Sequence, residues 1–239
     1  RDDESYNSWF KLMTENGYRV ISIDYRLGLK GSNKVGIAQV NVLDKAIHMA
    51  VEDLFSATNF ILDNADQFGV NPSNIVISGS SAGAISVMQA EYEIANATQW
   101  ASVLPAGFNY AGVMSFSGAI LSREGKVDFK KSPCPTLMLH GTSDELVPYD
   151  QIKVFNLGFF GGGKLVERFK KYGLNYNMYH FTDYGHEIAG SMDTTLDLQL
   201  KFLETNVMQK KMRIVEAWIS DPDVFKGSGP QSRKELYGK

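Results

Sequence analysis

Apolar residues along this chain alternate between two periods, and the alternation predicts its elements. Tyr6, Trp9, Phe10 and Met13 recur at helical spacing, which predicts a helix over about Asp3 to Glu15, closed by Asn16-Gly17. Val20-Ile21-Ser22-Ile23, within Arg19 to Asp24, reads as a strand, and a loop carrying Gly28, Gly31 and Gly36 follows. A long helical pattern runs from about Val40 to Phe68 and is broken by Asn71-Pro72. Ile75-Val76-Ile77-Ser78 is the next strand, and a helical run extends from Ala82 to about Ile94. Residues 96–111 carry Pro105 and Gly107 and read as a loop or a short cap. Ala111 to Ser117 and Thr136 to His140 read as strands, and residues near 150–157 and 163–172 as helices. Tyr176 to Phe181 is the last strand, and about Ala189 to Met208 the last helix. Strands alternating with helices imply an α/β fold, a doubly wound and mostly parallel sheet covered on both faces. After Ile219 the chain turns polar and punctuated, with Asp221-Pro222 and Gly227-Ser228-Gly229-Pro230. The expected division is a domain over residues 1–219 and a C-terminal extension over residues 220–239.

The 239 residues suit one such domain with a sizeable core. Net charge is −3, and basic residues occur only as short pairs such as Lys130-Lys131 and Lys170-Lys171. No nucleic-acid partner is expected from that pattern. No apolar run approaches the ~18 residues needed to cross a bilayer, so no membrane span is expected. The single cysteine, Cys134 between Pro133 and Pro135, excludes an internal disulfide and a zinc site of several thiolates. It reads as a packed, inert thiol. No His, Asp and Glu cluster has metal-ligand spacing, and chemistry without a cofactor is expected. Gly161-Gly162-Gly163-Lys164 lacks the spacing of a phosphate loop and reads as a flexible turn.

Candidate chemistry centres on Gly79-Ser80-Ser81-Ala82-Gly83, which has the form G-x-S-x-G. Such a pentapeptide arises readily by chance, so its context carries the weight. Here it joins a strand to a helix, and a sharp turn at that place lifts a serine hydroxyl clear of the sheet. The flanking glycines are expected because a Cβ at either would crowd the crossing of strand and helix. A serine needs a base, and the base needs an orienting group. Two loops that follow later strands supply them: His140 to Pro148, with Asp144, and Asp183 to Glu187, with His186. Ser81, Asp144 and His186 stand in the chain order nucleophile, acid, base. The Ala82 N–H, at the start of the following helix, is the expected oxyanion donor. Ser80 competes with Ser81, and Glu145 and Asp150 compete with Asp144. His48, His140 and His180 compete with His186, but only His186 combines loop position with chain order. Arg26 with Asp53 reads as a structural ion pair or loop anchor, and Glu187 as a solvated side chain.

GSSAG after a strand, Ile23-Asp24-Tyr25-Arg26-Leu27, HGTSDELVP and Tyr184-Gly185-His186-Glu187 together resemble the α/β-hydrolase superfamily. The resemblance covers about residues 5–208. It is to the carboxylesterase and lipase-like branch, including hormone-sensitive-lipase-like and polysaccharide acetyl or feruloyl esterases. It implies a serine carboxylic-ester hydrolase acting on a small-molecule or carbohydrate ester, with acetyl or feruloyl esters as candidates. A prolyl-oligopeptidase-like serine peptidase, or a non-catalytic binding module on the same fold, are the alternatives. The resemblance also implies a His-Gly-Gly-type oxyanion loop just before the first helix, where this chain begins. The expectation is therefore a hydrolase sheet lacking its N-terminal strands, one of which would lie between the strands at 19–24 and 75–78. Direct pairing of those two strands would overturn it. No signal peptide opens the chain, and upstream residues could carry one, which leaves a periplasmic or secreted location open.

Overall fold

The structure is a computed structural model and describes residues 4–29 and 40–221. In chain order its helices and strands begin with α1 (Asn7–Glu15), α2 (Val40–Asp63), α3 (Ala65–Phe68), β1 (Val76–Ser80) and α4 (Ala82–Ala95). Then follow β2 (Gly112–Phe116), β3 (Ala119–Ser122), β4 (Thr136–Gly141), β5 (Gln151–Val154), β6 (Leu157–Gly161) and α5 (Gly162–Tyr172). The last are β7 (Tyr176–Phe181), α6 (Leu196–Phe202) and β8 (Val215–Ile219).

A five-stranded sheet has the order β1-β2-β4-β7-β8, and every pairing in it is parallel. Every residue of β2, β4 and β7 is buried, which explains their near-continuous apolar sequences. Alternate residues feed two cores. Met114, Phe116, Leu137, Leu139, Tyr179 and Phe181 pack on one face with Trp9 and Met13 of α1 and Phe202 of α6. Val113, Met138, Tyr176 and Met178 pack on the other with apolar residues of α2, α4 and α5. This is the doubly wound α/β architecture that the periodicity implies. Trp9 Nε1 donates to Gln199 Oε1 at 2.7 Å, which ties α1 to α6 across 190 residues.

Tyr176 to Phe181 is not the last strand, since β8 follows it and pairs with it, and four other parts of the periodicity mislead. Residues 18–27 form no strand despite the apolar run at Val20 to Ile23. No described strand pairs with them, and without a partner β propensity does not make a ladder. The segment does not pair with β1, which is an edge of the sheet among the described residues. Residues 150–157 are not helical. They turn at Phe155-Asn156 between antiparallel β5 and β6, with Phe155 in the left-handed region (φ 53). β3 joins that hairpin as a second, three-stranded sheet. The expected helix over Ala189 to Met208 is a 3-10 turn at His186–Gly190, then α6, then a π-helical turn at Leu203–Met208. Residues 96–111, finally, do not cap the carboxyl ends of the strands. They lead from the far end of α4 back to the start of β2, where Ala111 N–H bonds the Ile75 carbonyl at 2.8 Å. Trp100, Leu104 and Phe108 join the core beneath α2 and α4. Part of the loop with Gly31 and Gly36, and nearly all of the 220–239 extension, lie outside the described residues.

Candidate active site

Ser81 lies at the corner between β1 and α4 with φ 52 and ψ −117. A non-glycine residue in this region is strained by about 1–3 kcal/mol and persists only where its surroundings hold it. Ser81 N–H donates to the Phe116 carbonyl of β2 at 2.9 Å, and its carbonyl accepts from Ile85 N–H at 3.0 Å. Gly79 is required by close approach: a Cβ there would lie 2.3 Å from the Gly83 carbonyl carbon and oxygen. Gly83 differs from expectation, since a Cβ on it meets nothing within 4 Å among the described residues. The Ser80 hydroxyl is committed elsewhere, donating to the Ala189 carbonyl at 2.6 Å. That bond ties the serine corner to the segment after His186. Ala82 opens α4 and is exposed, so its N–H is among the first-turn amides without an intrahelical acceptor.

Asp144 follows β4. Its Oδ1 accepts from Leu146 N–H at 2.9 Å and from Val147 N–H at 3.0 Å. Its Oδ2 lies 2.8 Å from His186 Nδ1, and its side chain is 0% exposed. Burial pushes this carboxyl up, but the His140 and His186 imidazoles outweigh burial and hold it well below the usual carboxylate range. His186 follows β7 and places Nε2 2.8 Å from Ser81 Oγ. An ionised carboxylate only accepts, so Nδ1 carries the ring proton and Nε2 offers its lone pair to the serine hydroxyl. The loops that carry Asp144 and His186 are sewn together, with Ser143 N–H to the Tyr184 carbonyl at 2.8 Å and Thr142 N–H to the Phe181 carbonyl at 2.9 Å. Three strand ends therefore bring Ser81, His186 and Asp144 into one hydrogen-bonded row.

The competitors are engaged elsewhere. His48 stands 3.5 Å from both Asp44 and Glu93 and stacks on Trp100 at 4.2 Å. His180, within β7, bonds the Tyr149 hydroxyl at 2.7 Å and stacks on Trp218. Neither Glu145 nor Asp150 bonds an imidazole among the described residues. Arg26 pairs with Asp53 at 2.9 Å and Glu52 at 2.8 Å, anchoring its loop to α2. Glu187 is not freely solvated: its Oε1 accepts from Gly185 N–H at 2.9 Å, and its Oε2 is buried. Gly161 to Gly163 are no flexible turn either. Gly161 and Gly163 N–H groups bond the Asp150 and Tyr149 carbonyls, and the run packs tightly as it leads into α5. Cys134 is buried, which pushes its thiol well up. Among the described residues no group of three or more His, Cys, Asp or Glu side chains could hold a metal ion, and no helix is long and apolar enough to cross a membrane. The Ser80 tie had no signal in the sequence, because its acceptor is a backbone carbonyl 109 positions away.

The parallel sheet, its helical faces and the strand-to-helix corner define an α/β-hydrolase fold. Residues 1–99, less than half of the chain, match the family model BD-FAE, an α/β-hydrolase esterase family. The matched segment contains Ser81 and Ala82 and ends before Asp144 and His186. No curated protein sequence matches the chain. Solved structures similar to it include Arabidopsis thaliana SOBER1, at 18% identity and a TM-score of 0.41, covering 67% of this chain and 66% of that one. Esterase PE8 stands at 19% identity and a TM-score of 0.41, covering 66% of this chain and 65% of that one. A truncated form of a carbohydrate esterase from gut microbiota stands at 16% identity and 0.47, covering 77% and 72%. The chain thus spans just under two thirds of the length of SOBER1 and of esterase PE8.

Proposed function

We propose that this protein is a serine carboxylic-ester hydrolase in which Ser81 is the nucleophile, His186 the general base and Asp144 the orienting acid. The observation that carries the reading is the row Ser81 Oγ to His186 Nε2 at 2.8 Å and His186 Nδ1 to Asp144 Oδ2 at 2.8 Å. As the Ser81 oxygen attacks the ester carbonyl, its proton passes to His186 Nε2, and the Asp144 carboxylate stabilises the resulting imidazolium. The Ala82 N–H meets the oxyanion of the tetrahedral intermediate. The C–O bond to the alcohol breaks as His186 returns the proton to the leaving oxygen. A water molecule, deprotonated by the same imidazole, then attacks the acyl-serine and releases the acid.

Carbohydrate esters of acetyl or feruloyl groups are the proposed substrate class, supported by the BD-FAE match over residues 1–99.

A fluorophosphonate probe is expected to label Ser81 in the wild type and to leave Ser81→Ala unlabelled. Turnover of p-nitrophenyl acetate, an acetylated sugar and a feruloylated sugar is expected to exceed turnover of a peptide anilide. Anilide cleavage without ester cleavage would replace this reading with a peptidase, and absence of any adduct on Ser81 would replace it with a binding module.

A further inference from the structure

A second buried imidazole reaches the acid of this site. His140 lies in the buried run of β4, one residue before its end, and is 1% exposed. Its surroundings decide which ring nitrogen carries the proton. The N–H of Gly162, first residue of α5, donates to His140 Nδ1 at 3.2 Å. A donor aimed at Nδ1 requires a lone pair there. The ring proton is therefore on Nε2, where the Val147 carbonyl accepts it at 3.1 Å. The same Nε2 lies 3.4 Å from Asp144 Oδ2, the oxygen that meets His186. Val147 in turn donates its own N–H to the other oxygen, Oδ1. His140 thus holds the residue that holds Asp144, and it places an N–H edge beside the oxygen that orients His186.

The surroundings are shaped for this contact. A Cβ on Gly162 would come within 3.0 Å of His140 Nδ1 and 3.2 Å of its Cβ, so a larger residue at the start of α5 would press on the His140 ring. The Gly161 and Gly163 N–H groups fix the position of that start against the Asp150 and Tyr149 carbonyls. Tyr149 also packs edge-on to the His140 ring at 5.7 Å.

We infer that His140 is a positioning residue: as its Nε2–H tautomer, selected by the Gly162 N–H, it fixes the Asp144 carboxylate and, through it, the His186 ring. The inference rests on the roles proposed above for Ser81, Asp144 and His186.

Nitrogen NMR of the histidine rings in the wild type tests the tautomer without any substrate. A bare Nδ1 and a protonated Nε2 are expected for His140, and a protonated Nδ1 overturns the assignment. Kinetics test the role. His140→Phe keeps the ring volume and removes both nitrogens, whereas His140→Gln returns an N–H near the Nε2 position. With p-nitrophenyl acetate, His140→Phe is expected to lower kcat by about 10- to 100-fold, the size of loss that a small misplacement of a catalytic group produces. KM should stay within about twofold, since no substrate contact is removed. His140→Gln should recover most of the loss. Ser81→Ala and His186→Ala are measured beside them. If these two turn over ester at the wild-type rate, the reading of the site fails whatever His140 does. If they are inactive while His140→Phe keeps the wild-type kcat, only this inference fails. Equal losses in His140→Phe and His140→Gln, tracked by equal falls in Tm, also overturn it.

Discussion

At the scale of the residue, two adjacent serines carry different work, and their environments separate them. The Ser81 hydroxyl faces the lone pair of an imidazole, whereas the Ser80 hydroxyl is spent on the Ala189 carbonyl. Ser81→Ala is therefore expected to reduce kcat by roughly 10⁴-fold or more while leaving Tm near the wild type, since loss of a nucleophile that acts with its base is close to loss of the whole unit. Ser80→Ala is expected to keep fluorophosphonate labelling at Ser81 and to cost about 1 kcal/mol of stability, the usual net worth of one hydrogen bond. The two variants are compared by probe labelling and thermal melts. Labelling lost in Ser80→Ala and kept in Ser81→Ala would reverse the assignment. The position of each candidate was legible in the sequence because G-x-S-x-G, a strand-end aspartate and a loop histidine each have a local signature. The ties that aim them, such as Ser80 to Ala189 and His140 to Val147, join a side chain to a backbone carbonyl and leave no such signature.

At the scale of the element, the corner between β1 and α4 shows which of its glycines the geometry needs. A Cβ on Gly79 would sit 2.3 Å from the Gly83 backbone, and neither element can retreat without disturbing Ser81. Gly79→Ala is expected to destabilise by several kcal/mol, at the severe end for a single substitution. Gly83 is within α4 and faces open space among the described residues. Gly83→Ala should be neutral or stabilising by up to about 1 kcal/mol, because alanine is the better helix former. Urea melts of the two variants check the contrast, and similar losses in both would contradict it. The same comparison explains which elements the sequence could announce. β2, β4 and β7 are buried on both faces, so their apolar runs leave little ambiguity. The β5–β6 hairpin exposes much of its length, and its apolar residues fit helical and strand spacing alike. Its pairing with β3 decides the outcome, and that contact is not local. β8 is a half-buried edge strand of five residues, too short for its alternation of Val215, Ala217 and Ile219 to stand out.

At the scale of the whole molecule, buried charge sets how stability depends on pH, and Glu91 opposes the other carboxylates. The Asp144, Glu93, Asp53 and Glu216 carboxyls are held below their ordinary range, and Asp128 is lowered to about 2. Each contributes stability that is present above its unfolded pKa and lost as pH falls through its folded one. Glu91 is 4% exposed on the inner face of α4, where the Cys134 N–H reaches Oε1 at 2.8 Å and Oε2 has no hydrogen-bond partner among the described residues. Burial pushes its carboxyl from 4.5 to about 7, against the opposing pull of Cys134. The folded state therefore holds a proton that the unfolded state has released. The resulting stability is fully present below pH 4.5 and is lost as pH rises through about 7. At 1.36 kcal/mol for each pH unit, that loss amounts to about 3 kcal/mol, or roughly 6–12 °C in Tm for a domain of this size. His48 acts in the same direction, because Glu93 and Asp44 outweigh its burial and raise its pKa, whereas burial lowers the His180 pKa and opposes both. The wild type is accordingly expected to melt at a higher temperature at pH 5 than at pH 8. Glu91→Gln keeps an acceptor for Cys134 but cannot ionise, so most of that difference should vanish, leaving the opposed shares of His48 and His180. The slope decides the matter rather than the level, because an unpaired buried amide costs the variant equally at every pH. A wild-type Tm that climbs from pH 5 to 8, or a slope unchanged in Glu91→Gln, would show that the proton is not held at Glu91.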